Sequence, residues 1–501
     1  MLSFQVFDEM GPAHEFPLVL AHMLGRDDIA IRSEITFRDG VVRCRRRGPE
    51  AAALCLLHDA GQMGRLMLQT CLLPDRDQPY VLSLELARHR IKQFIAKSEE
   101  WQMFELGAEH PAMREWERAR ESFTLAANET DPVAADRHAR GSLVCAIEAT
   151  ERLARAHAQI LLHRRFGTRA ASSTTLGLGV WAGAPEEPIR EVLQREADVV
   201  TIPLRWRELE RSEGKYDWTA TDRWMAWAAE RKKPIIAGPL LDFSPEALPS
   251  WMHVWQNDFD TTRAMAYDHM AKVVDRYRSV VNIWNLAAGI NVNDHFQFAP
   301  DQMLNLVRTA VVLVRQARRG ARTMVELTQP FGEHAAFRRD SVSPLIWVDR
   351  LVQEGLRLDA IGVRLQFGVS SAGRATRDLF QISDMLDRLV HFDLPVMVTG
   401  VGVPSETIDP NGGHWHDSWT PQRQAEWIAQ VFPVALSKPF VEAFIWGDIA
   451  DHAGQDVASS GLLTERCEVR PAFVKVTGMR RRLRKPIGLL RDAERAAAAE
   501  P

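Results

Sequence analysis

The chain has 501 residues, 46% of them hydrophobic and 26% charged. That is enough for two or three units with a sizeable core and excludes a disordered chain. The balance of 62 basic against 66 acidic residues, net −4, excludes a nucleic-acid binder that works by bulk charge.

In chain order, residues 1–81 read as a β-rich domain. IAIRSEITFRDGVVRCRRR alternates apolar and polar residues around Asp39-Gly40, a hairpin signal. LMLQTCLL is a further strand-like run. Over residues 82–166 the apolar period becomes helical, with Asp131-Pro132 as a cap and first-turn proline. This helical segment is expected to wrap the C-terminal part of the chain or pack on the N-terminal strands, and residues 1–166 offer a surface for a homo-oligomer. The small polar stretch 167–175 reads as a linker. Over residues 176–482, eight short apolar strands alternate with amphipathic helices. The strands fall near 176–181, 199–204, 234–240, 280–286, 323–328, 359–367, 395–401 and 441–447. Eight βα repeats with strands apolar on both faces predict an α/β fold, a (β/α)8 TIM barrel. Gly177 and Gly179 have no third glycine in place for a dinucleotide turn. Residues 483–501, basic and then alanine-rich, read as a flexible tail.

Five scattered cysteines without a C-x-x-C motif argue against a disulfide framework or a zinc site. No cofactor is expected. Neither an apolar leader nor a membrane-length apolar run is read, so the expected location is cytoplasmic, with no membrane partner.

The barrel segment resembles glycoside hydrolase family 10, the endo-β-1,4-xylanase-like enzymes. EGKYDWTATDRWMAWAAER is similar to the segment after the family's second strand. Pro249-Ser250-Trp251 resembles the P-x-W after its third. VEAFIWGDIAD with SSGLLTERCEVRPAF resembles its last strand and the run beyond it. The resemblance implies two catalytic glutamates, an acid/base and a nucleophile about 5–5.5 Å apart, at the ends of strands four and seven. Those positions fall on Gly289 and Gly400, and glycine can neither protonate a leaving oxygen nor attack an anomeric carbon. The family's lysine after strand two appears as Arg205, and both histidines of its third-strand run are absent from Gly238–Ser244. The sixth-strand G-x-Q-x-H reads as Gly362 to Gln366, with Arg364 at its centre.

Because barrel function sits at the C-terminal strand ends, the candidate ligand-binding residues are Arg205, Asn285, Arg364, Gln366, Trp415 and Trp446. Trp446 is expected beneath a sugar and Trp415, on the 412–419 loop, above it; two arginines are expected to supply donors. The alternative is that the arginines pair with local carboxylates and the tryptophans close the loop onto the barrel. His414 and His416 form an H-x-H pair, a weak metal signal without a third ligand. Candidate relocated carboxylates are Asp242, Asp294, Glu333, Asp448 and Asp451, with Asp451 matching the family's last-loop aspartate if one residue is inserted. Three readings are open: a catalytically degenerate barrel binding a β-glycan, oligosaccharide or related polyol; an active glycosidase with relocated carboxylates; and a structural or assembly protein using the barrel as a rigid body.

Overall fold

The computed structural model describes residues 1–167 and 175–483. Most of the expected linker, 168–174, and the expected tail from 484 onward lie outside the described residues.

Eight parallel strands form a closed barrel: Thr175–Gly179, Val199–Ile202, Ile235–Ala237, Ile283–Ala288, Arg322–Leu327, Ala360–Gln366, Val396–Gly402 and Val441–Trp446. Each pairs with the next, and the eighth returns to the first through Ala443↔Thr175 and Ile445↔Gly177. The strands are apolar on both faces because both are covered. Val199, Ile236, Met324, Met397 and Ile445 fill one side, while Val200, Ile235, Val325, Ile361 and Phe444 meet the helices on the other. Helix starts follow local chemistry: Pro300, Pro344 and Pro421 occupy first-turn positions, and Asp378 and Gln381 form a reciprocal capping box.

The hairpin forms between Ser33–Arg38 and Val41–Arg46. Asp39 and Gly40 both take positive φ, 52° and 71°, as a two-residue turn with the strands' twist requires. Leu2–Gln5 extends this sheet. A second sheet runs through Gly64–Gln69, Ala53–Asp59 and His22–Leu24. Leu54, Leu56, Leu66 and Leu68 pack with Leu82, Leu86, Leu143 and Ile147 of the helical segment. That segment comprises Leu82–Glu100, Pro111–Asn128 and Pro132–Gly167, the last opened by Asp131 accepting from Ala134 N at 3.2 Å.

The N-terminal part and the barrel share cores. Phe94, Trp101 and Leu153 cluster with Phe380 of a barrel helix, and Leu57 and Met67 cluster with Ala375 of a barrel loop. Met67 N donates to Thr376 O at 3.0 Å, and Arg90 pairs with buried Asp378. The 412–419 loop corrects a sequence expectation. His414–Trp415 pairs antiparallel with Arg65 and Gly64 and so becomes an edge strand of the N-terminal sheet. It covers an otherwise open sheet edge and does not close over the mouth.

Candidate functional site at the barrel mouth

Strands four to seven send polar side chains into the mouth: Asn285, Glu326, Arg364 with Gln366, and Thr399. Glu326, 4% exposed, is the hub. Its Oε1 accepts from Arg364 Nε at 3.0 Å and Thr399 Oγ1 at 2.7 Å. Its Oε2 accepts from Arg364 Nη2 at 3.1 Å and Asn285 Nδ2 at 2.7 Å. Neighbouring Gly362 leaves room for it, since a Cβ there would lie 3.2 Å from Glu326 Cβ. Burial alone would raise the Glu326 carboxyl, but the Arg364 guanidinium and these hydrogen bonds hold it below its ordinary value. All four of its acceptor positions are engaged, so it serves as the anchor of Arg364.

Arg364 also donates from Nη1 to Asp456 Oδ2 at 3.3 Å, where Gln366 Nε2 donates at the same distance. Arg205 Nη2 lies 4.0 Å from Asp456 Oδ1, and Arg374 Nη1 reaches Asp456 O at 3.3 Å. Burial pushes Asp456 up, yet Arg364, Arg374 and Arg205 together keep it below its usual value. Opposite stands Asp242, accepting from Ser244 N at 2.9 Å; burial raises its carboxyl, against the pull of Arg364. At the rim His452 Nε2 meets Asp448 at 3.2 Å, and its ring stacks on Trp181 at 4.2 Å. Apart from His452, these groups line a cavity of about 350 Å³, a size that suits a small ligand.

Arg205, Asn285, Arg364 and Gln366 all line this cavity, as do Asp242, Asp294 and Asp448. Asp294 is paired with Arg338. Other expectations are corrected. Glu333 is buried against Arg377 and Gly373 N, away from the mouth. Asp451 is tied to Arg470 and accepts from Gly461 N at 2.8 Å, bracing its own loop. Trp446 is 0% exposed and its Nε1 donates to Ser460 O at 3.0 Å; it is core and offers no face to a ligand. Trp415, also buried, donates from Nε1 to Glu151 Oε1 of the helical segment at 2.7 Å. His416 Nε2 meets Glu151 Oε2 at 3.1 Å and His414 Nδ1 meets His416 O at 2.9 Å, so the H-x-H pair fastens the two parts together. Among the described residues no group of three or more His, Cys, Asp or Glu is placed to hold a metal ion, and no helix is long and apolar enough to cross a membrane.

Glu326, Asp456, Arg374, Thr399 and Trp181 were missed from sequence. Glu326 had a legible signal, a lone charge in the apolar run TMVELT at a strand end. Asp456 and Arg374 sit in irregular loops, where no period marks them.

Gly289 follows strand four and Gly400 lies near the end of strand seven, with φ of 59° and 55°. A Cβ at Gly289 would lie 2.5 Å from Thr328 Oγ1, and one at Gly400 would lie 3.0 Å from Arg364 Cγ. Both positions thus combine a left-handed backbone with close neighbours.

Residues 166–477 match the family description Glycosyl hydrolase family 10. Endo-1,4-beta-xylanase 3 of Hypocrea jecorina is 28% identical over 108 residues, which make up 19% of this chain and 30% of that protein. This chain therefore spans under a third of the length of the curated relatives it matches. Among solved structures, the xylanase 10B of Thermotoga petrophila RKU-1 in complex with xylobiose aligns at 16% identity and TM-score 0.49, over 64% of this chain and 97% of that one. The native xylanase 10B of Thermotoga maritima aligns at 15% identity and TM-score 0.48, over 62% and 96%. With the family match covering well over half its length and a closed eightfold barrel, the chain belongs to glycosyl hydrolase family 10.

Proposed function

We propose that this chain is a family 10 barrel that has lost retaining hydrolysis and keeps its mouth as a binding site for a β-glycan, oligosaccharide or related polyol. The observation that carries the reading is the pair Gly289 and Gly400 at the ends of strands four and seven, where the family resemblance calls for the two glutamates. Glu326, at the end of strand five, has no acceptor position left for a sugar or a proton. Loss of general acid–base assistance alone forfeits roughly 10²–10⁴-fold in rate. Of the five relocated carboxylates expected from sequence, Asp242, Asp294 and Asp448 line the mouth, while Glu333 and Asp451 are committed elsewhere.

Binding is supported by the polar cavity and by donors from Arg205, Arg364 and Arg374 around its wall. Trp181, partly exposed and stacked on His452, is the aromatic surface at the rim. The burial of Trp446 and the shared cores with the N-terminal part favour a second reading, a rigid assembly body. One experiment separates them. Purified protein is assayed on an aryl β-xyloside and titrated calorimetrically with xylo- and cello-oligosaccharides, beside Arg364→Ala. No turnover, with saturable binding weakened in the variant, supports the proposal. Turnover abolished by a mouth substitution overturns the loss of hydrolysis. Absence of binding at millimolar sugar favours the assembly reading.

A further inference from the structure

The mouth holds buried acceptors that no protein donor meets. Asn285 and Gln366 are 5% and 7% exposed. Each spends its amide N–H on a carboxylate, Asn285 on Glu326 and Gln366 on Asp456. A carboxylate only accepts there, so the amide orientation follows from chemistry: the other atom of each group must be the oxygen. Among the described residues, Asn285 Oδ1 and Gln366 Oε1 have no hydrogen-bond partner, and neither does Gln329 Oε1. His334, 1% exposed, adds a fourth. Its Nε2 meets Val342 O at 3.0 Å and so carries the proton. Burial holds the ring neutral, near a pKa of about 4, and Nδ1 is a bare acceptor without a partner. All four residues line the one cavity. Buried acceptors left unmet cost roughly 1–3 kcal/mol each, so the complementary ligand brings N–H and O–H groups.

The charge points the same way. Six carboxylates and four guanidiniums line the cavity. Glu326 neutralises Arg364, and Asp456 faces Arg364, Arg374 and Arg205. Among the described residues Asp242 has no ion-pair contact; Arg364 attracts it only from a distance, and Ser244 is its hydrogen-bond partner. We propose that the mouth prefers a cationic amino sugar over a neutral one, with the ligand's ammonium set against Asp242 and its hydroxyls donating to Asn285 Oδ1 and Gln366 Oε1. Burial raises the Asp242 carboxyl, and an ammonium beside it would hold the charged form that burial disfavours. A charge-assisted pair is about twice as strong as a neutral hydrogen bond, enough for a preference of about tenfold, or 1.4 kcal/mol.

This rests on the proposed binding function and names its ligand class. The test is calorimetric titration, under mildly acidic conditions that keep the amine charged, with three β-1,4-linked tetrasaccharides that differ at C2: glucosamine, N-acetylglucosamine and glucose. A glucuronic acid tetramer serves as the anionic probe. Expected are tightest binding by the glucosamine oligomer and a preference over cellotetraose of about tenfold. That preference, read as the ratio of glucosamine-oligomer to cellotetraose affinity, should disappear in Asp242→Asn, with thermal unfolding unchanged. Gln366→Met should weaken all neutral and cationic sugars alike, an independent check if Asp242→Asn misfolds. Equal affinity for glucosamine and glucose oligomers, or tighter binding of the glucuronic acid oligomer, overturns the inference and leaves the binding reading standing. If none of the four binds, both fall.

Discussion

Replacing Arg364 by Met keeps most of the side chain's volume and removes its charge, leaving Glu326 buried with only Asn285 and Thr399 as donors. Glu326 is 4% exposed, so water cannot substitute for the guanidinium. Breaking a buried pair on one side costs about 3–5 kcal/mol, because an uncompensated charge remains. The expected fall in unfolding midpoint is roughly 3–8 °C. Adding Glu326→Gln should recover at least about half of the loss, since the double variant buries no lone charge. The pH dependence has a definite sign. In the parent the folded Glu326 value lies below the ordinary 4.5. Its stabilising contribution is therefore present above pH 4.5 and lost as pH falls through the folded value. In Arg364→Met burial is opposed only by the Asn285 and Thr399 hydrogen bonds and the folded value moves up, so the deficit relative to the parent widens as pH rises. The assay is urea unfolding of parent, both single variants and the double variant across this range, read as a double-mutant cycle. A single variant within about 1 kcal/mol of the parent at neutral pH, or a double variant no better than Arg364→Met, would refute the hub role given to this pair.

Gly289→Glu and Gly400→Glu should each destabilise by about 1–3 kcal/mol through left-handed strain and close contact with Thr328 and Arg364. Neither should restore aryl-xyloside turnover, and thermal unfolding with a hydrolysis assay checks both. Trp446→Phe loses the hydrogen bond to Ser460 and leaves a small cavity in the core. It should cost about 1–3 kcal/mol and leave glycan affinity unchanged by calorimetry; lost binding at parent-like stability would show that the indole reaches the ligand. Glu151→Ala strips the partner from Trp415 Nε1, His416 and Leu379 N. It should cost about 1–3 kcal/mol and expose the 412–419 loop to limited proteolysis. For His452, burial lowers the pKa but Asp448 more than offsets it, so the folded value lies above 6.5. Its contribution is present below pH 6.5 and lost as pH rises through the folded value. Asp448→Asn should lower the pKa in an NMR titration and remove that loss.

The barrel and its hairpin were legible in the residues themselves. Parallel strands buried on two faces must be nearly all apolar, which the runs at Val199–Ile202 and Val441–Trp446 are. A two-residue hairpin turn needs positive φ at both positions, which Asp39-Gly40 supplies at little cost. The absence of side-chain chemistry at Gly289 and Gly400 is likewise written in the chain. Partnership was not. Trp446 and Trp415 have the composition of a sugar platform, yet one is enclosed by the barrel and the other is held by Glu151, 264 residues away. Nothing local in HWH marks it as an edge strand, because strand pairing is satisfied by whatever backbone arrives alongside, and here that is Gly64 and Arg65. Arg364 could be read as a free donor until the fold placed Glu326, 38 residues earlier, and Asp456, 92 later, against the same guanidinium. Periodicity records which face a residue takes; which charges then meet, and which acceptors are left facing the cavity, depends on loops and strand ends brought together by closure of the barrel, and only the tertiary structure decides that.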